Sequence, residues 1–217
     1  MGAVQRPGRL ITIEGLDGSG KTTLAAALEG ALGARGLPIL RLREPGGVAL
    51  SERIRALVAD PALTVDPRAE ALLFAAARAQ LRAEVLEPAL AAGRWVLLDR
   101  YVDSSLAYQG GGRELGLDAV AAINALATAG CTPDRTLLLR VDRATGRRRL
   151  EDRGDAADRM EREQDAFFAR VEAAYDALAV GEPARFRVLD AHQPPDRVLA
   201  DALGALGDLL PDAAAEA

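Results

Sequence analysis

Lysine is nearly missing from this 217-residue sequence: of its 27 basic side chains only Lys21 is lysine, and the rest are arginine. Something about that one position excludes a guanidinium. Cysteine and histidine are as scarce, represented by Cys131 and His192 alone. One cysteine excludes an internal disulfide framework. One Cys with one His cannot supply a four-ligand zinc site, so any metal must rely on oxygen ligands. No run of about 18 apolar residues is present, and the polar Met1–Arg9 stretch lacks the apolar core of a signal peptide. A cytoplasmic protein with no membrane segment is expected. An excess of basic charge is missing too: the net charge of −5 argues against a nucleic-acid partner, which needs a concentrated basic face, while small phosphates stay open.

With 49 % hydrophobic residues, 217 residues are enough for one substantial core. A single domain over residues 1–217 is expected, with a frayed tail at about 211–217. Leu10–Glu14, Ile39–Arg43, Trp95–Leu98, Thr136–Val141 and Phe186–Leu189 read as short strands. Helical spacing covers Thr22–Arg35, Leu50–Ala59, Arg68–Ala91, Leu117–Ala129, Arg143–Asp152, Gln164–Ala179 and Pro195–Leu210, and Gly110–Gly112 reads as a local loop. Strands that alternate with longer helices predict a five-stranded parallel sheet with helices on both faces, a three-layer α/β/α arrangement whose ligands gather at the carboxyl ends of the strands.

The strongest motif is Gly15-Leu16-Asp17-Gly18-Ser19-Gly20-Lys21-Thr22, which matches G-x-x-x-x-G-K-[ST] between a strand and a helix. It places the chain among P-loop NTPases. The loop N–H groups and the helix N-terminus would wrap the phosphates of ATP, Lys21 would reach the β/γ-phosphates, and the Thr22 hydroxyl would ligate Mg²⁺. Arginine would not fit the closed loop at position 21. Asp99, ending the apolar run Trp95–Leu98, takes the place of a Walker B carboxylate that would hold Mg²⁺ directly or through water. Neither an Asn-Lys-x-Asp guanine reader nor a switch-like Asp-x-x-Gly follows, which argues against a GTPase. In the helix Arg68–Ala91, Leu72, Ala76, Ala79, Ala83, Leu86 and Leu90 form a stripe expected to face the core. Phe74, Arg78, Leu81 and Val85 lie opposite. A ring beside a guanidinium suits a planar base, although on these two residues alone a satellite-core Phe74 with a solvated Arg78 is the better account.

Taken together, Ile13–Thr23, Arg43-Glu44-Pro45-Gly46-Gly47, Phe74–Arg78, Asp99-Arg100-Tyr101 and Ser105–Arg113 resemble, in this order, the motifs of bacterial thymidylate kinases. That resemblance implies transfer of the ATP γ-phosphate to dTMP. It implies that Phe74 stacks on thymine, that Arg78 hydrogen-bonds its edge, and that Ser105 and Gln109 line the base site. By the same resemblance Tyr108 lies against the sugar, Arg43 and Arg100 hold the acceptor phosphate, Asp17 receives the sugar 3′-OH, and the protein is a homodimer.

Eight arginines lie between Arg140 and Arg162 among acidic residues. Arg147 and Arg148 can pair with Glu151 and Asp152 at i,i+4, whereas Arg149 meets Arg153 at that spacing, a face that wants an anion. With the break at Gly154, residues of about 143–162 read as a short mobile lid that brings Arg153 to the transferring phosphoryl group. Gly18 inside the glycine loop resembles the family type that supplies its basic residue from the lid, with Arg149 over the adenine. The expected reaction is direct in-line transfer without a covalent enzyme intermediate. A kinase for another small acceptor, or a silent nucleotide-binding module, are the competing readings.

Overall fold

The structure, a computed structural model, describes residues 8–154 and 158–211; the expected frayed tail lies almost wholly outside them, as does the side chain of Arg153. Five strands form one parallel sheet: β1 (Arg9–Glu14), β2 (Ile39–Arg43), β3 (Trp95–Asp99), β4 (Arg135–Arg140) and β5 (Phe186–Asp190), in the order β2-β3-β1-β4-β5. The register pairs Ile13 with Asp99 and Arg43 with Asp99, so the strand ends that carry the motifs finish at one level. β1, the strand before the glycine loop, is central, and its Leu10, Ile11 and Ile13 are buried.

One sheet face is covered by α1 (Lys21–Gly33) and α9 (Pro195–Ala205) around Leu24, Leu28, Leu32, Leu97, Leu137 and Leu139. On the other face, α3 (Pro67–Leu81) and α8 (Asp165–Gly181) bring Leu81, Phe168, Val171 and Tyr175 against Val96, Leu98 and Leu138. Between them in sequence lie α2 (Ala49–Ala59), α4 (Glu87–Ala91), α5 (Val102–Ser105), α6 (Leu117–Thr128) and α7 (Arg143–Arg153). The Asp66 carboxylate caps α3 by accepting from Arg68 N at 2.9 Å, with Pro67 in the first turn.

Four expectations are corrected. The helix from Arg68 to Ala91 is not uniform: Arg82–Leu86 forms a π-helical turn between α3 and α4. Over α3 the inward side is also the reverse of the expected stripe, since Leu72 is 56 % exposed while Ala71, Ala75, Arg78 and Leu81 are buried, whereas Leu86 at the end of the π-helical turn is in the core as expected. So many alanines give little contrast between faces, and the polar partners of Arg78 decide the orientation. Gly110–Gly112 is not a loop but the end of a π-helix, Leu106–Gly112, that continues α5. An added Cβ at Gly111 would lie 2.7 Å from Cβ of Ala174, and one at Gly112 2.5 Å from Cε2 of Phe167. Those glycines admit α8, instead of breaking the chain. Finally, α9 stops at Ala205, short of the expected Leu210.

Candidate active site

The glycine loop lies between β1 and α1. Gly15, Gly18 and Gly20 have φ of 134°, 77° and 96°, conformations that other residues adopt only with strain. A Cβ at Gly18 would collide with the backbone carbonyl of Gly146 on α7, so α7 rests on the loop through two glycines. This contact explains why a basic side chain is absent at position 18: α7 occupies its space. Gly20 caps α1 without a side-chain bond, leaving the helix N-terminus open to an anion, and the buried Ser19 Oγ has no hydrogen-bond partner among the described residues. Both fit a cradle shaped for phosphate oxygens.

Lys21 is buried and donates to the carbonyls of Gly15 at 3.2 Å and Leu16 at 2.8 Å, 3.9 Å from Asp17 Oδ1. Burial, with the nearby charge of Arg100, brings its pKa down to about 8. The Thr22 hydroxyl donates to Asp99 Oδ2 at 2.8 Å, so the two residues expected at the metal stand side by side.

Asp17 links the loop to the turn after β3. Arg100 donates to its Oδ1 at 2.6 Å and the Tyr108 hydroxyl to its Oδ2 at 3.2 Å. Burial alone would raise the Asp17 pKa, but Arg100 and Lys21 hold it well below the usual carboxylate range. Arg100 itself has φ 71°, a left-handed backbone uncommon for a non-glycine residue. Its N–H donates to Ile13 O at 3.0 Å, and that of Tyr101 to the buried Glu14 carboxylate at 2.8 Å, which fixes the turn and aims the guanidinium.

Asp17, Phe74, Arg100, Ser105, Tyr108 and Gln109 all line one cavity of about 110 Å³. Two residues expected there stand elsewhere. Arg78, 2 % exposed, lies behind the wall, donating to Glu44 Oε2 at 2.7 Å, Ser105 Oγ at 3.0 Å and Tyr101 O at 2.9 Å, and also to Asn124. It backs Ser105 instead of lining the cavity. Arg43 is about half exposed and pairs with Glu52 at 3.1 Å. Arg55 of α2 lines the cavity in its place, 3.2 Å from Pro45 O, its pKa lowered by burial and by the charges of Arg43 and Arg100. Sequence reasoning missed Arg55 because one arginine on an amphipathic helix looks like any solvated one. Glu44, in the quoted Arg43–Gly47 motif but given no role, also lines the cavity; burial pushes its pKa up to about 7, against the pull of Arg78.

A second cavity, of about 350 Å³, opens on the far side of the loop between Gly20, Leu24, Leu139, Ala191 and Pro195. Arg149 crosses its mouth, donating to Ala191 O at 2.9 Å and Gly18 O at 3.4 Å. The glycine loop thus separates two pockets, with cationic and N–H groups between them.

The family model for thymidylate kinase matches residues 13–202. A thymidylate kinase of Halorhodospira halophila is 47 % identical over 94 % of this chain and 96 % of its own length. Those of Rhizorhabdus wittichii and Deinococcus radiodurans are both 48 % identical, over 94 % and 93 % of this chain and 100 % and 97 % of their own lengths. A loop set between two pockets, matched along nearly the whole chain to these proteins, leaves one assignment: the chain belongs to the thymidylate kinase family.

Proposed function

We propose that the protein transfers the γ-phosphoryl group of ATP to dTMP, giving dTDP and ADP, as a cytoplasmic single-domain enzyme. The observation that carries this reading is the pair of pockets that meet at the glycine loop, one lined by Asp17 and Arg100 and the other by Ser19 and Gly20: Lys21 would serve the donor side and Arg100 the acceptor side, with Asp17 between them. Two phosphate esters repel each other, and bringing them within reaction distance requires cations and N–H groups fixed beforehand. Phosphoryl transfer asks little else of a protein.

On the acceptor side Phe74 would stack on the base, Ser105 and Gln109 meet its edge with Arg78 behind, and Tyr108 lie against the sugar. Asp17 would receive the 3′-OH. Arg100 and Arg55 would hold the phosphate, and Arg43 would swing in from the rim by exchanging Glu52 for it. On the donor side, the loop N–H groups and Lys21 would hold the phosphates, Arg149 would lie over the adenine, and Arg153, the last residue of α7, would approach the transferring group. Thr22 and Asp99 would hold Mg²⁺, which supplies neutralising charge to the phosphate oxygens when bound. Two oxygen donors already in contact suit a cation that keeps water and phosphate in most of its coordination sites. Among the described residues no cluster of three or more His, Cys, Asp or Glu side chains could hold a metal alone.

Homodimerisation is supported by the outer face of three adjacent helices. Leu50 and Leu57 of α2, Leu72 of α3 and Leu126 of α6 are exposed, with α3 packed against both α2 and α6.

ADP release coupled to dTMP, dUMP, CMP and thymidine tests the assignment. It predicts turnover with dTMP and none with thymidine, which brings no phosphate to Arg100 and Arg55. Equal turnover with thymidine would contradict it.

A further inference from the structure

Glu70 is fully buried in the first turn of α3, yet it belongs neither to the core nor to the cavity wall. Its carboxylate gathers three donors. Gln109 Nε2 donates to Oε1 at 2.9 Å, Arg113 to Oε1 and Oε2 at 3.2 and 3.1 Å, and Arg159 to Oε2 at 2.5 Å. Arg159 in turn donates to Val58 O at 2.8 Å, which pins the segment after α7, with Met160, against the cavity rim.

The bond to Gln109 has a chemical consequence. A carboxylate only accepts hydrogen bonds, so the one end of the Gln109 amide that can face Glu70 is its NH₂. The carbonyl Oε1 is then the polar end left for the cavity that Gln109 lines. A carbonyl there welcomes a donor and rejects an acceptor. Thymine and uracil present N3–H on that edge; cytosine presents a bare N3 lone pair. An amide free to rotate would serve both, since Nε2 could turn toward cytosine. Rotation in this protein would set Gln109 Oε1 against the Glu70 carboxylate with both atoms buried, an arrangement without a hydrogen bond and with facing lone pairs.

We propose that Glu70 is a positioning residue for acceptor specificity: by fixing which end of the Gln109 amide faces the cavity, it restricts the enzyme to pyrimidine nucleotides that carry an N3–H. This rests on the assignment of the cavity to a deoxynucleoside monophosphate. Turnover of dTMP by the unaltered enzyme tests that assignment separately, so its failure is distinguishable from failure of the role given to Glu70.

The test is the ratio of kcat/KM for dTMP to that for dCMP in the full-length protein. Glu70→Gln offers Gln109 a partner that can either donate or accept, and the ratio is expected to fall roughly tenfold or more. Glu70→Asp keeps an acceptor-only group and should hold the ratio even if both rates drop. A residue that merely packs would lower both substrates alike, so an unchanged ratio in Glu70→Gln, or an equal fall in both variants, overturns the proposal. Should Glu70→Gln fail to fold, the unaltered enzyme is assayed with a dTMP analogue bearing C–H in place of N3–H. A loss of about tenfold or more in kcat/KM is expected, and turnover equal to dTMP would overturn the proposal.

Discussion

Lys21 shows how much one side chain can reveal. It sits folded onto two loop carbonyls and is only 7 % exposed, in a space that suits a slender ammonium and not a planar guanidinium. Lys21→Arg is therefore expected to lower kcat on the order of 100-fold or more while the protein stays folded; near-normal turnover would make the scarcity of lysine an accident of composition. The pKa of about 8 adds a second consequence. Above pH 8 the free enzyme increasingly holds neutral Lys21, whereas bound phosphates favour the charged form. ATP binding should therefore take up protons between about pH 8 and the ordinary lysine range, and release none through this group well below pH 8. Calorimetry in buffers of different ionisation enthalpy measures this directly, and Lys21→Arg should abolish the uptake.

The elements divide by how plainly their residues announce them. Gly112 belongs to the group that did not. Gly112→Ala would drive a methyl into Phe167, so a loss of about 1–3 kcal/mol is expected in thermal unfolding; an unchanged midpoint would contradict the close packing of α8 on the π-helix. The glycine loop, the position of Asp99 and all five strands were legible, because a phosphate loop needs glycines at fixed places, the inner strands are short apolar runs, and the edge strands β2 and β5 still carry apolar residues between polar ones. The triglycine segment was not, since glycine for close approach and glycine for a turn look alike in sequence. The facing of α3 was misread for want of contrast among its alanines, and Arg55 and Glu70 stayed hidden because their roles depend on partners far along the chain. The lid carries its own prediction: Arg153→Ala should lower kcat about 10³-fold with little change in the KM for dTMP. A pure KM effect in steady-state kinetics would place the catalytic arginine elsewhere.

For the molecule as a whole, α2, α3 and α6 present leucines to the outside on the sheet face that carries the acceptor cavity. Replacing Leu72 and Leu126 by glutamate is expected to give a folded monomer by size exclusion with light scattering, and an unchanged dimer would move the interface to another surface. The central claim is that the fold holds two repelling phosphates across one glycine loop so that a phosphoryl group passes directly between them. Following the label from γ-labelled ATP in the presence of Mg²⁺ and dTMP measures that passage. The account predicts label in dTDP, matched one for one by ADP and with none on the protein; label that stays in ATP, appears as free phosphate or attaches to the protein would contradict it.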